Sequence, residues 1–184
     1  MDDQVGKVLK TLKDEGLEEN TIVVFISDHG FHLGEHKFWM KVSLHEESVR
    51  VPMIIKVPGK RPSVCNTFTE LVDLYPTLAD LVGLKYSKHI QGKSLLKTFD
   101  KPAHSVRDEA FSVSLDGEAF LLRTKEWAYI QYKEDASRGI ELYDMINDPS
   151  QFNNLAKKPD FAKVIAVLQK RLTHKLKEVR KNDL

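Results

Sequence analysis

Near the N-terminus, Val5, Val8, Leu9 and Leu12 recur at helical spacing and Gly16 follows them. This pattern predicts an amphipathic helix over about 3–15, whose apolar stripe needs a sheet to cover. The run Ile22-Val23-Val24-Phe25-Ile26 has no alternation, which is the pattern of a strand buried on both faces and points to a mixed, mainly parallel sheet. A second strand is predicted over 51–57, closed by Pro58-Gly59, and a third extended piece over 66–71. Asp73 is placed to cap a helix over 74–82, with Pro76 tolerated in its first turn and Gly83 ending it.

From about residue 85 the pattern changes to short apolar stretches between turn residues. Strands are predicted over 110–114, 119–124, 127–132 and 141–143, as an antiparallel meander. Asp160 is a candidate cap for a last helix in which Phe161, Val164, Ile165, Leu168 and Leu172 share one face. The basic run at 175–181 suits the negative end of that helix dipole and solvent. The fold class is therefore α/β, with 1–84 as the tail of a larger α/β domain. Residues 85–184 form a small antiparallel subdomain with a C-terminal helix.

Charge adds exclusions rather than partners. Lys and Arg number 28 against 27 Asp and Glu, a formal charge of +1, so no global field draws the chain to nucleic acid or to an anionic membrane. No apolar run approaches the roughly 18–20 residues that cross a bilayer. The lone Cys65 excludes an internal disulfide. The start, Met1-Asp2-Asp3-Gln4, is polar and carries no secretory pattern, so the compartment stays open; an exported parent would need a signal from elsewhere.

Residues 28–42 begin where the first strand ends, a common place for catalytic loops. Four of the seven histidines, His29, His32, His36 and His45, fall close together here, with Asp28, Glu35 and Lys41. Asp28 and His29 can share a cation, one supplying carboxylate oxygen and the other imidazole nitrogen. The same pair also suits a strand-end turn in which the aspartate caps backbone amides and the histidine bonds to it. Two ligands do not complete a metal site. His32 and His36 have i, i+4 spacing, but Gly34 between them argues against a zinc-binding helix.

The segment Ile26-Ser27-Asp28-His29-Gly30-Phe31-His32-Leu33-Gly34-Glu35-His36-Lys37-Phe38-Trp39-Met40-Lys41 closely resembles the late catalytic motif of type I, formylglycine-dependent sulfatases. It is nearest to the iduronate-2-sulfatase-like branch of that alkaline phosphatase-like superfamily. Val51-Pro52 with Val57-Pro58-Gly59, Val72-Asp73-Leu74-Tyr75-Pro76-Thr77-Leu78, Gln91-Gly92-Lys93-Ser94-Leu95, Glu141-Leu142-Tyr143-Asp144 with Asp148-Pro149, and Asn154-Leu155-Ala156 continue the resemblance along nearly the whole chain. It implies that Asp28 and His29 are calcium ligands and that Lys41 binds the sulfate group. Phe31, His32 and His36 would line the substrate mouth, and the substrate would be a sulfated sugar or another small sulfate ester.

The sequence also departs from that family. The nucleophile there is a formylglycine made from Cys or Ser in a Cys/Ser-x-Pro-x-Arg motif, and no such motif is present; Cys65 in Ser63-Val64-Cys65-Asn66-Thr67 fails it. The family's upstream calcium carboxylates are absent too. The expectation is a piece of a longer sulfatase, inactive alone, that self-associates through an exposed sheet edge. Two other readings stand beside it: a phosphonate or phosphate monoester hydrolase of the same superfamily, and a non-catalytic binding or assembly module.

Overall fold

A computed structural model describes residues 1–181 of the 184. Helix α1, Asp2–Asp14, begins on Asp2 and Asp3 and ends near Lys13, so charges at both ends oppose its dipole. Gly16, at φ +68°, supplies the left-handed residue that stops it. No residue of α1 is fully buried: Val5 and Leu12 are half-buried and Val8 and Leu9 exposed, so the stripe that was expected to need a sheet is only partly covered among the described residues.

Strands β1, Val23–Ile26, and β2, Met53–Lys56, pair antiparallel, with Val23 opposite Lys56 and Ile26 opposite Met53. This corrects the parallel pairing expected from the Ile22–Ile26 run. Between them the chain reverses through a long loop and one short helix, α2, Glu46–Val49, rather than a crossover helix that would return it in the same direction. All four β1 residues are half-buried, so neither face is fully closed.

The segment expected to extend over 66–71 forms no strand. It leads into a single 3-10 turn, Leu71–Asp73, continuous with helix α3, Leu74–Leu81. Asp73 does precede α3, but it makes no side-chain cap bond to that helix. Its fully buried carboxylate instead accepts from the amides of Lys93 and Glu70, at 2.7 and 2.8 Å, and pairs with Arg107 at 2.5 Å. Arg107 also meets Glu70 at 2.6 Å. Gly92 approaches this turn so closely that a Cβ there would lie 2.0 Å from the Val72 carbonyl oxygen.

The second sheet is the expected meander: β3, Glu109–Val113, β4, Ala119–Thr124, β5, Trp127–Tyr132, and β6, Ile140–Asp144, all antiparallel in sequence order. Period-two alternation sends Phe120, Leu122, Tyr129 and Leu142 to one face, against Leu168, Leu172 and Leu176 of helix α4, Ala162–Val179. Asp160 does not cap α4. It lies inside a 3-10 turn, Pro159–Phe161, because Pro159 pre-sets the first turn one step earlier.

The opposite face of the meander, Ala119, Leu121, Ala128, Ile130 and Tyr143, is also closed, and Leu44 from the loop between β1 and β2 helps to close it. Further ties hold that loop. Arg123 Nε donates to Glu46 at 2.8 Å, and the Glu46 amide donates to the Gln151 side chain at 2.8 Å. The loop between β1 and β2 is thus built onto the meander. No described helix is long and apolar enough to cross a membrane.

Candidate functional site

Asp28 follows β1 after one intervening residue, Ser27, and its carboxylate accepts the His29 amide at 3.0 Å. Gly30 then turns the chain under α2: its amide donates to the Ser48 carbonyl at 2.9 Å, and a Cβ at this position would lie 1.9 Å from the Glu47 carbonyl oxygen. Only glycine fits so close an approach. Beyond it the loop closes on itself, the His32 amide bonding the Met40 carbonyl at 2.8 Å and the Gly34 amide the Phe38 carbonyl at 3.1 Å. This closure returns Lys41 to the start of the loop.

The His29 ring is oriented by its own backbone. Nδ1 lies 2.8 Å from the Gly30 carbonyl oxygen, which can only accept, so Nδ1 carries the hydrogen and Nε2 keeps its lone pair. Lys41 Nζ stands 2.8 Å from that Nε2, and an Asp28 oxygen stands 3.5 Å from it. Two lone-pair donors and one ammonium therefore meet at the carboxyl end of β1, with Asp28 largely in solvent. The donor set suits a cation on the Asp28–His29 side and an anion beside Lys41. For calcium, which takes roughly 6–8 mostly oxygen ligands, the fit is that of two donors in a larger set. The turn reading and the ligand reading are compatible, since Asp28 uses one oxygen for the His29 amide.

The residues expected at a substrate mouth part company. Phe31, Trp39 and Met40 are all exposed. His32 is fully buried and faces inward, which corrects its placement at a mouth; its Nε2 bonds Ser43 Oγ at 2.7 Å. His36 is largely buried as well, 3.4 Å from Glu47, on a backbone in the left-handed region. Both rings turn inward because the loop packs against α2 and the meander rather than opening to solvent. Four residues with a part in this inner cluster were not singled out from sequence: Ser43, Glu47, Ser48 and Glu141. For the first three the only signal was proximity to a dense histidine run. For Glu141 the signal was its place at the head of the Glu141-Leu142-Tyr143-Asp144 motif, which assigned it no role.

Glu141 is held by three donors: His45 Nε2 at 3.0 Å, Tyr143 at 2.7 Å and Tyr132 at 2.8 Å. Burial pushes its carboxyl up, but the three hydrogen bonds outweigh that and hold it at about 2.

Comparison with known proteins places this mixed α/β fold, which closes with an antiparallel sheet and a helix, among the sulfatases. Residues 34–179 match the family described as N-sulphoglucosamine sulphohydrolase, C-terminal, and the chain belongs to that family. It is similar to arylsulfatase K of Bos taurus, 32% identical over 93% of this chain and 34% of that protein. It is similar also to the N-acetylglucosamine-6-O-sulfatase of Bacteroides thetaiotaomicron, 32% identical over 100% of this chain and 35% of that one. A protein solved in complex with its substrate D-glucosamine-2-N,6-O-disulfate superposes with a TM-score of 0.89, at 30% identity, over 99% of this chain and 39% of that one. The chain spans about a third of the length of the curated relatives it matches.

Proposed function

We propose that this chain supplies the lysine and two metal ligands of a sulfatase active site that hydrolyses sulfate esters of sugars. The observation that carries the reading is the meeting of Asp28, His29 and Lys41 at one strand end, with His29 Nε2 unprotonated and 2.8 Å from the ammonium. In this reading Asp28 and His29 hold calcium together with carboxylates from outside these residues. When bound, that ion offsets the charge on the nonbridging oxygens of the sulfate. Lys41 holds one such oxygen as a point charge and stabilises it as charge shifts in the transition state. The Gly30 carbonyl keeps His29 in the tautomer that leaves Nε2 unprotonated; that lone pair here accepts from Lys41 and passes to the ion as Lys41 turns to the sulfate. Phe31, with Trp39, borders the approach of the sugar.

The nucleophile of the family, a formylglycine, is assigned to a part of the parent protein outside these residues, since Cys65 lies in no matching motif. Residues 1–84 belong to the parent's catalytic domain and 85–184 to its C-terminal subdomain. In isolation the partly exposed stripe of α1 and the half-open β1–β2 ribbon favour self-association.

Calcium titration into the chain by calorimetry, against Asp28→Ala, tests the ligand assignment. Turnover by the full-length protein of glucosamine sulfates, compared with a phosphonate monoester of matched leaving group, tests the reaction. Preference for the phosphonate, or turnover unchanged by Lys41→Ala, overturns the proposal.

A further inference from the structure

Separate from Asp28 and His29, the inner cluster brings together His32, His36, His45 and Glu47. One ligand atom from each of His32, His45 and Glu47 lies within 4.8 Å of the other two. His36 Nε2 stands 3.4 Å from Glu47, and the rings of His36 and His45 are 4.4 Å apart, centroid to centroid. His32 is fully buried, and the side chains of His36, His45 and Glu47 are only 13%, 16% and 21% exposed.

The hydrogen bonds behind these rings fix which nitrogens are free. Ser43 Oγ gives its hydrogen to Ser48 Oγ at 2.9 Å, so it must accept from His32 Nε2, and His32 Nδ1 is left with a lone pair. His45 donates Nε2–H to the Glu141 carboxylate at 3.0 Å, which leaves its Nδ1 with a lone pair too. Among the described residues, His32 Nδ1, His36 Nε2 and Glu47 Oε2 are buried without a hydrogen-bond partner. Buried polar atoms rarely go unpaired, and three in one place ask for a common partner. His32 backed by a hydroxyl and His45 backed by a carboxylate have the outer-shell support that orients metal ligands.

We propose that His32, His36, His45 and Glu47 form a site for a borderline divalent cation, zinc foremost. Imidazole nitrogen and carboxylate oxygen are both donors that zinc takes, and four of them would fill a tetrahedral set. Zinc ligands at about 2.0–2.1 Å stand roughly 3.3–3.5 Å from one another, which the His36–Glu47 distance already matches. His32, His45 and Glu47 draw in from separations of up to 4.8 Å on binding, and His36, which lies outside that trio, swings further inward to join it. Gly34 rules out a helix here, and the loop does what a helix would have done. His36 and Lys37 take left-handed backbone, φ 54° and 60°, which turns His36 back toward the other rings. With four protein donors and little exposure the ion is structural: it pins the loop that carries Asp28, His29 and Lys41 to the meander through His45 and Glu141.

The test is zinc binding by the whole 184-residue chain after chelator treatment, read by calorimetry and by elemental analysis, with cobalt as a spectroscopic probe. One zinc per chain is expected, with the intense visible bands of tetrahedral cobalt, retained in Asp28→Ala. His36→Gln and Glu47→Gln, checked for folding by circular dichroism, should each weaken binding at least tenfold. Glu141→Gln, which keeps the size of the group behind His45 and removes its charge, should weaken it by about 10- to 100-fold, with folding checked in the same way because Tyr132 and Tyr143 also bond this carboxylate. Absence of zinc binding by the unaltered chain, weak octahedral cobalt bands, or an affinity unmoved by His36→Gln and Glu47→Gln overturns the proposal. Loss of the zinc in Asp28→Ala would assign the ion to the strand-end pair and overturn it equally. Calcium binding at Asp28 can fail without touching this result.

Discussion

Lys41 Nζ lies 2.8 Å from Nε2 of His29, twelve residues back along the chain. The contact needs the loop between them to close, and it puts an ammonium beside the Asp28–His29 pair, the position that the proposed function gives to a sulfate oxygen. Removing a preorganised charge from a transition state typically costs about 10²–10³ in rate. Lys41→Met in the full-length protein should lower kcat/KM on a sulfate ester by that order. Denaturant unfolding of the chain should shift by no more than about 0.5 kcal/mol, because Lys41 is exposed.

Arg107 bridges a fully buried acid, Asp73, and a half-buried one, Glu70. Deleting one partner of a buried ionic group leaves the others uncompensated, a loss of about 3–5 kcal/mol. Arg107→Met should therefore destabilise the chain by that amount in urea titrations. Replacing Lys60, whose pair with Asp100 lies at the surface, should cost under about 1 kcal/mol.

Two glycines make opposite predictions. Gly30 has no room for a Cβ beneath the Glu47 carbonyl, so Gly30→Ala must push α2 away from the strand-end turn. A loss of several kcal/mol, on the order of other severe steric lesions, is expected, together with loss of calcium affinity. Gly6 lies in exposed α1 with nothing near it, and Gly6→Ala should stabilise by about 0.5–1 kcal/mol through helix propensity. Thermal unfolding of both variants checks the pair.

Burial raises the Tyr129 phenol to about 12 from its ordinary 10.0. Because the folded pKa is raised, the folded state holds this proton longer than the unfolded chain does. Its contribution is fully present below pH 10 and is lost as pH climbs from 10 to about 12, on the order of 2–3 kcal/mol in all. Burial also raises Tyr132 and Tyr143, as does the nearby Glu141 carboxylate, so the alkaline loss continues beyond that window. Unfolding midpoints across pH 9–12 should fall, and fall less steeply in Tyr129→Phe.

The meander and last helix were legible because their signals are local. Strands such as Ala119–Thr124 and Trp127–Tyr132 are bounded by turn residues, and the α4 stripe repeats over five turns. The direction in which β1 pairs was not legible, since a continuous apolar run reads alike in either orientation. Asp73 looked like a cap because its near neighbours suggested one; its true partners, Lys93 and Arg107, lie 20 and 34 positions away. Asp28, His29 and Lys41 were singled out by motif, and the fold brings them together. The inward turn of His32 depends on Ser43 and Ser48 behind it, and on a sheet that the local pattern does not mention.

Leu44, His45 and Glu46 are anchored to residues some 75 to 105 positions further on: the meander's inner face, Glu141, Arg123 and Gln151. A two-stranded ribbon such as β1–β2 is marginal by itself, so the loop borrows its rigidity from the C-terminal half. In hydrogen exchange, the amides of Gly30 and His32 should open together with the meander, as one cooperative unit, while α1 exchanges early. A lesion under α4, such as Leu172→Ala, would then surface as disorder at the strand end that bears Asp28. Inherited damage of this kind would be mistaken for an active-site defect, although its cause lies in a distant hydrophobic layer.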